Sequence, residues 1–189
     1  ETMDYREFLE KRRELMARVI AEGYATLMAG ETEEDITTQE FDLSKVVMSG
    51  ESEAVEFKST LRINLHTGNK EPRMELSVLK TLAGFLNTNG GTLVVGISDD
   101  GSPVGIQADE FESEDKMSRH LTDTVKTRMG IHAITNMHIR FDDHDSCRVM
   151  VVACRKASAP VFVKDGDTDH LYIRTGPSTT DLNPSQIQD

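Results

Sequence analysis

The run Thr92-Leu93-Val94-Val95-Gly96-Ile97 constrains the fold more than any other stretch. It is almost continuously apolar, the pattern of a central strand covered on both faces. Asn89-Gly90-Gly91 stands just before it and ends a segment of helical spacing over 73–88. The buried face of that helix is Leu76, Leu79, Leu82, Ala83 and Leu86. A helix that runs straight into a buried strand implies layers of helix and sheet around this point.

A half-buried strand precedes the helix. Over 54–61, Val55, Phe57, Ser59 and Leu61 point one way and Ala54, Glu56, Lys58 and Thr60 the other. Residues 62–72 read as a polar loop carrying Arg62, His66 and Lys70 and ending at Pro72. After the central strand, Asp99-Asp100-Gly101-Ser102 reads as a turn and 103–106 as a short returning strand. A second helix is predicted over 113–129, with Ser113 as cap, Glu114 and Asp115 in its first turn and Gly130 past its end. Met117, Leu121, Val125 and Met129 form its buried side. Strands follow over 136–142, 148–154, 161–164 and 170–175, the last two paired as a hairpin. This order predicts an α+β fold: a mixed, largely antiparallel β-sheet flanked by helices, with an N-terminal helical arm.

The arm is residues 4–29. Tyr5, Phe8, Leu9, Leu15, Met16, Val19, Ile20, Tyr24, Leu27 and Met28 lie on one stripe, Asp4 and Glu7 make a capping box, and Gly30 stops the helix. Arg12 interrupts the stripe, which argues against a long coiled coil. An acidic linker and a short helix follow over 31–50. The chain thus divides into 1–47, an N-terminal amphipathic helix and linker, and 48–189, the main domain. The arm reads as a helix packed on that domain or as the contact of a homodimer.

Charge limits the partners. The formal net charge is −12. Residues 1–50 hold six Lys or Arg against twelve acids, and 51–189 hold fifteen against twenty-one. Any surface for nucleic acid must therefore be a local basic patch. No apolar run is long enough to cross a membrane, and no basic-then-apolar signal opens the chain. It begins with Glu1 rather than Met and reads as a fragment, which leaves an upstream signal open. Cys147 and Cys154 fall on one strand, too far apart for a disulfide, and read as reduced core thiols of a cytoplasmic protein.

Glu56-Phe57-Lys58 carries the first chemistry. Glu56 and Lys58 share a strand face, and with further acids such a pair can hold a divalent metal or steady a phosphate. Glu51 and either Asp99 or Asp100 could join them, although a solvated ion pair and a plain turn explain the same residues. Gly90-Gly91 follows a helix rather than opening one, so a dinucleotide loop is excluded. Asp165-Gly166-Asp167-Thr168-Asp169 lacks the glycine and final glutamate of a calcium loop. His138, Asp142, Asp143, His144 and Asp145 are metal-capable types, but Asp142-Asp143-His144-Asp145 reads as a solvated connection. Lys58, Arg62, Lys70, Arg73 and Arg174 gather loosely, and the required patch forms if Arg62, Lys70 and Arg174 border the same cleft as Glu56.

Four motifs, in order, resemble the Schlafen AlbA-2 domain over about 48–189. They are Glu51-Ser52-x-x-Val55-Glu56-Phe57-Lys58; Phe85-Leu86-Asn87-Thr88-x-Gly90-Gly91-Thr92-Leu93-x-x-Gly96; Asp99-Asp100-Gly101-x-x-x-Gly105; and Pro160-Val161-Phe162 with Tyr172-Ile173-Arg174-x-Gly176-x-Ser178-Thr179. The resemblance implies a nucleic-acid-binding domain for DNA or RNA, regulatory in role, in which Lys58, Arg62, Lys70 and Arg174 meet phosphate. It also implies an alternative, a magnesium- or manganese-dependent endoribonuclease. Glu51, Glu56 and Asp100 would then be the catalytic metal ligands, and Lys58 would stabilise charge on phosphate. A third reading is an ATP-binding regulatory module. Pro177 stands where many bacterial members have Asn, and the chain has one lobe where the animal enzymes have two.

Overall fold

The computed structural model describes residues 42–182. The predicted arm over 4–29, and the homodimer contact assigned to it, lie outside these residues. The short helix before the main domain is present as α1 (Leu43–Ser49) with Leu43 buried.

The central strand is β4 (Gly91–Val95), and Leu93, Val94 and Val95 are fully buried. It lies parallel to β1 (Val55–Lys58), with Val55 opposite Thr92 and Lys58 opposite Val95. Parallel neighbours need a long crossover, and α2 (Pro72–Leu86) supplies it. Pro72 occupies the first turn of α2, where its missing N–H costs nothing. On the other side β4 pairs antiparallel with β6 (Cys147–Cys154), which pairs antiparallel with β5 (Met137–His144). The sheet order is β1-β4-β6-β5.

A second sheet holds β7 (Phe162–Asp165), β8 (Thr168–Thr175) and β9 (Ser178–Leu182), all antiparallel. Helix α2 packs on both β4 and β8. That explains why Leu82, Ala83, Gly84, Phe85 and Leu86 are all buried, where a helix on one sheet would bury only a stripe. Phe57, Leu79, Phe85, Leu93, Met117 and Met150 are among the largest fully buried side chains. Each such side chain stabilises the fold by about 1.5–3 kcal/mol.

Helix α3 (Glu114–Met129) matches its predicted bounds within a residue. Ser113 Oγ accepts from the Lys116 N–H at 3.2 Å, and Met117, Leu121, Val125 and Met129 are buried. A short α4 (Ile131–Ile134) follows. The cysteines are free, and burial pushes the Cys154 thiol up to about 12.

Three expectations change. The strand over 54–61 stops at Lys58, because the N–H groups of Leu61, Arg62 and Ile63 turn to Asp109 instead. The loop over 62–72 contains a small hairpin, β2 (Ile63–Asn64) and β3 (Asn69–Lys70). The returning strand over 103–106 reduces to one bridge, Ile97 to Pro103, before a 3-10 turn at Ile106–Asp109. Among the described residues no helix is long and apolar enough to cross a membrane.

Candidate functional site

The site is built on β1. Ser52 pairs with Val55 across a tight turn, which folds Glu51 back beside the strand. Glu51 Oε1 there accepts the Phe57 N–H at 2.9 Å. Strand alternation turns Phe57 into the core and leaves Glu56 and Lys58 together on the other face. Lys58 Nζ donates to Glu56 Oε1 at 2.5 Å and to the Phe57 carbonyl at 3.0 Å. Two of its three N–H bonds are thereby used.

The other oxygen of Glu56 faces Arg174. Oε2 lies 2.7 Å from Arg174 Nη2, and the side chains are 13% and 1% exposed. The contact counts as an ion pair, and Oε2 is buried without a hydrogen-bond donor. The Arg174 guanidinium is spent on the turn before β1. Nη2 donates to the carbonyls of Ser52 at 2.7 Å and Val55 at 3.2 Å, Nε to Glu53 at 3.2 Å, and Nη1 to Thr179 Oγ1 at 3.3 Å. Its plane sits 5.0 Å from the Phe85 ring centroid. The expected phosphate contact at Arg174 does not fit this burial. The residue lies beneath the surface and ties β8 to the turn that carries Glu51 and Glu56.

Arg62 is committed in a similar way. Its Nε donates to the Asp109 carbonyl at 3.0 Å and its Nη2 to the Glu110 carbonyl at 2.9 Å, and it stacks 3.5 Å from the Phe111 centroid. Asp109, 1% exposed, accepts from Leu61 N at 2.6 Å and from Arg62 N and Ile63 N. Desolvation holds its carboxyl above the usual value, against the lowering by those three N–H groups. Lys70, by contrast, is exposed on β3 and has no partner among the described residues.

Asp100 belongs to the turn after β4. Its Oδ1 accepts from Ser98 Oγ at 2.6 Å and Ser102 N at 2.9 Å, and these bonds hold its carboxyl below the usual value. Among the described residues no three His, Cys, Asp or Glu side chains are grouped so as to hold a metal ion. Glu51, Glu56 and Asp100 are therefore not brought into one coordination sphere. As arranged here they do not fit a magnesium or manganese ion. Of the 142–145 connection, read as solvated, His144 is in fact buried, and its Nδ1 is without a partner.

Sequence patterns alone miss Asn87 and Thr88 as structural ties. Asn87 Nδ2 donates to the carbonyls of Val161 at 2.8 Å and Tyr172 at 2.9 Å, and its Oδ1 accepts the Val161 N–H at 2.7 Å. Thr88 Oγ1 accepts the Arg174 N–H at 2.9 Å. Three of the four sequence motifs thus form one polar network: Glu56 to Arg174, Thr88 to Arg174, and Asn87 to Val161 and Tyr172. The glycines of the second motif serve close approach. A Cβ on Gly91 would stand 2.4 Å from Phe85, and one on Gly90 would stand 2.6 Å from the Cys154 carbonyl.

A family model described as Schlafen, AlbA_2 matches residues 51–183, which spans this whole network. The chain belongs to the Schlafen AlbA_2 family. Among solved structures, this Schlafen AlbA_2 domain is similar to the DIP2311 protein from Corynebacterium diphtheriae. That match has 22% identity and a TM-score of 0.51, and it covers 69% of this chain and 22% of the other. The chain thus spans less than a quarter of the corynebacterial protein's length. A second similar structure is the N-terminal domain of an ATP-dependent DNA helicase RecG-related protein, so described with reservation, from Nitrosomonas europaea. Its identity is 21% and its TM-score 0.47, over 70% of this chain and 85% of that one. No curated protein matches.

Proposed function

We propose that this Schlafen AlbA_2 domain binds nucleic acid, DNA or RNA, through phosphate contacts along residues 58–73. Charge carries the reading. Between Lys58 and Arg73 stand four Lys or Arg, with Glu71 the sole acid, in a chain of net charge −12. An acidic body that grips a polyanion needs such a local patch. Roles among these cations and Arg174 divide by what each side chain already holds. Lys70 is a direct phosphate contact, and Lys58 is a second through its remaining N–H. Arg62 and Arg174 are positioning residues, since their guanidinium groups already hold backbone carbonyls. Glu56 aims Lys58 and balances Arg174. A homodimer formed through residues 4–29 would present the patch twice.

Two other readings have less support. A nuclease using Glu51, Glu56, Asp100 and Lys58 needs three carboxylates on one ion, and Asp100 is instead bonded within its own turn. An ATP-binding module needs a cationic cleft. One surface cleft, of about 240 Å³, is lined by Glu112 and Glu114, and its Arg148 is already paired to Glu114 at 2.7 Å.

The test uses labelled duplex DNA, single-stranded RNA and tRNA at two salt concentrations, with manganese or with EDTA. Salt-sensitive shifts of intact nucleic acid, weakened by Lys70→Ala, are expected. No shift with any of the three would overturn the reading. Metal-dependent cleavage lost in Glu56→Ala would replace it with the nuclease.

A further inference from the structure

We propose that the β2–β3 hairpin is a wedge for duplex DNA, with Leu65 entering between base steps from the minor groove. The inference rests on the phosphate-binding reading and adds the ligand's form and the residue that touches bases. Leu65 follows Asn64 at the end of β2 and is 50% exposed, one of the four large apolar side chains left open among the described residues. The other three lie on α1, α4 and β7, outside the basic stretch. His66 beside it and Lys70 on the paired strand are exposed as well.

The hairpin is held from both ends. At its entry, buried Asp109 takes the N–H groups of Leu61, Arg62 and Ile63. At its exit, Glu71 takes the Asn64 Nδ2 and Thr67 Oγ1 groups at 2.8 and 2.9 Å and pairs with Arg73. The turn itself closes on Asn64, whose carbonyl accepts from Gly68 N at 2.8 Å and whose Oδ1 accepts from His66 N at 2.9 Å. A side chain that parts stacked bases must be borne by backbone already ordered, or the cost of ordering it cancels the gain.

Groove dimensions select the duplex. The major groove, about 12 Å wide, is filled by a helix or a full ribbon. This ribbon has two residues in each strand and offers one aliphatic side chain at its turn. An apolar side chain beside an exposed lysine matches the minor-groove wedge, in which basic or amide side chains follow the groove and an aliphatic one parts a base step. A-form RNA presents a wide, shallow minor groove that does not guide such a tip.

The experiment uses the full chain and a DNA duplex containing 2-aminopurine, read by anisotropy for occupancy and by 2-aminopurine emission for unstacking. Wild type is expected to raise the emission on binding. Leu65→Ala is expected to abolish that rise at saturation and to weaken binding about tenfold, with the salt slope kept. Lys70→Ala is expected to lower the salt slope by about 1 and to keep the rise at saturation. Saturable binding with no rise, or a rise that survives Leu65→Ala, overturns the wedge and leaves the phosphate reading standing. Binding confined to RNA does the same. No binding of any nucleic acid overturns both.

Discussion

Glu56 Oε2 and Arg174 Nη2 lie 2.7 Å apart, joining the second residue of β1 to the second sheet. Removing one member of such a pair leaves the other charge desolvated and alone. Arg174→Met also frees the carbonyls of Ser52, Glu53 and Val55. It is expected to lower stability by about 3–5 kcal/mol, while Glu56→Gln costs about 1–2 kcal/mol because the amide keeps the shape and one acceptor. Urea unfolding of the two variants gives the comparison. Equal, small losses would contradict the positioning role.

Asn87 predicts a second stability effect. Its amide donates to two carbonyls and its oxygen accepts one N–H, all from Val161, just before β7, or Tyr172 on β8. Asn87→Asp sets an acceptor against the carbonyls of Val161 and Tyr172. The expected loss is about 3 kcal/mol or more, exceeding that of Asn87→Ala, at about 2 kcal/mol. Unfolding midpoints in urea order the variants.

Asp109 gives a pH signature. Its folded carboxyl titrates above its ordinary value, chiefly because it is desolvated. The folded state therefore holds the proton longer than the unfolded chain. The stability this supplies is fully present below the ordinary aspartate pKa and is lost as pH rises through the raised folded value. Asp109→Asn removes the titration. The stability difference between wild type and this variant is expected to shrink as pH rises across that window, measured by urea melts at successive pH values. A difference that grows with pH would contradict the assignment.

The two thiols differ. Cys154 is buried with its thiol pushed up to about 12, and Cys147 is half-buried. Iodoacetamide at neutral pH is expected to modify Cys147 first, with Cys154 reacting only after denaturation. Mass spectrometry of the native and urea-unfolded protein counts the adducts.

Helix α3 shows what is legible in the sequence. Its cap, its apolar spacing and its closing glycine are local signals, and each falls where the helix requires it. The covered character of β4 is equally plain from its apolar run. Strand β9 is not legible, because Ser178-Thr179-Thr180-Asp181-Leu182 has little apolar character and exists through pairing with β8. The β2–β3 hairpin escapes for the same reason, since two-residue strands have no period to read. Arg174 is the largest difference at the site. An arginine on a strand reads as a surface cation, and only carbonyls far away in the chain, at Ser52, Glu53 and Val55, make it a buried one. Glu56 beside Lys58 follows from strand alternation alone.

The most direct test of nucleic-acid binding is the salt dependence of affinity for labelled duplex DNA and single-stranded RNA, measured for wild type and Lys70→Glu. Affinity is expected to fall steeply with salt, with at least tenfold weaker binding and a shallower slope for Lys70→Glu. Binding to neither nucleic acid at low salt, or binding that Lys70→Glu leaves unchanged in strength and slope, would contradict it.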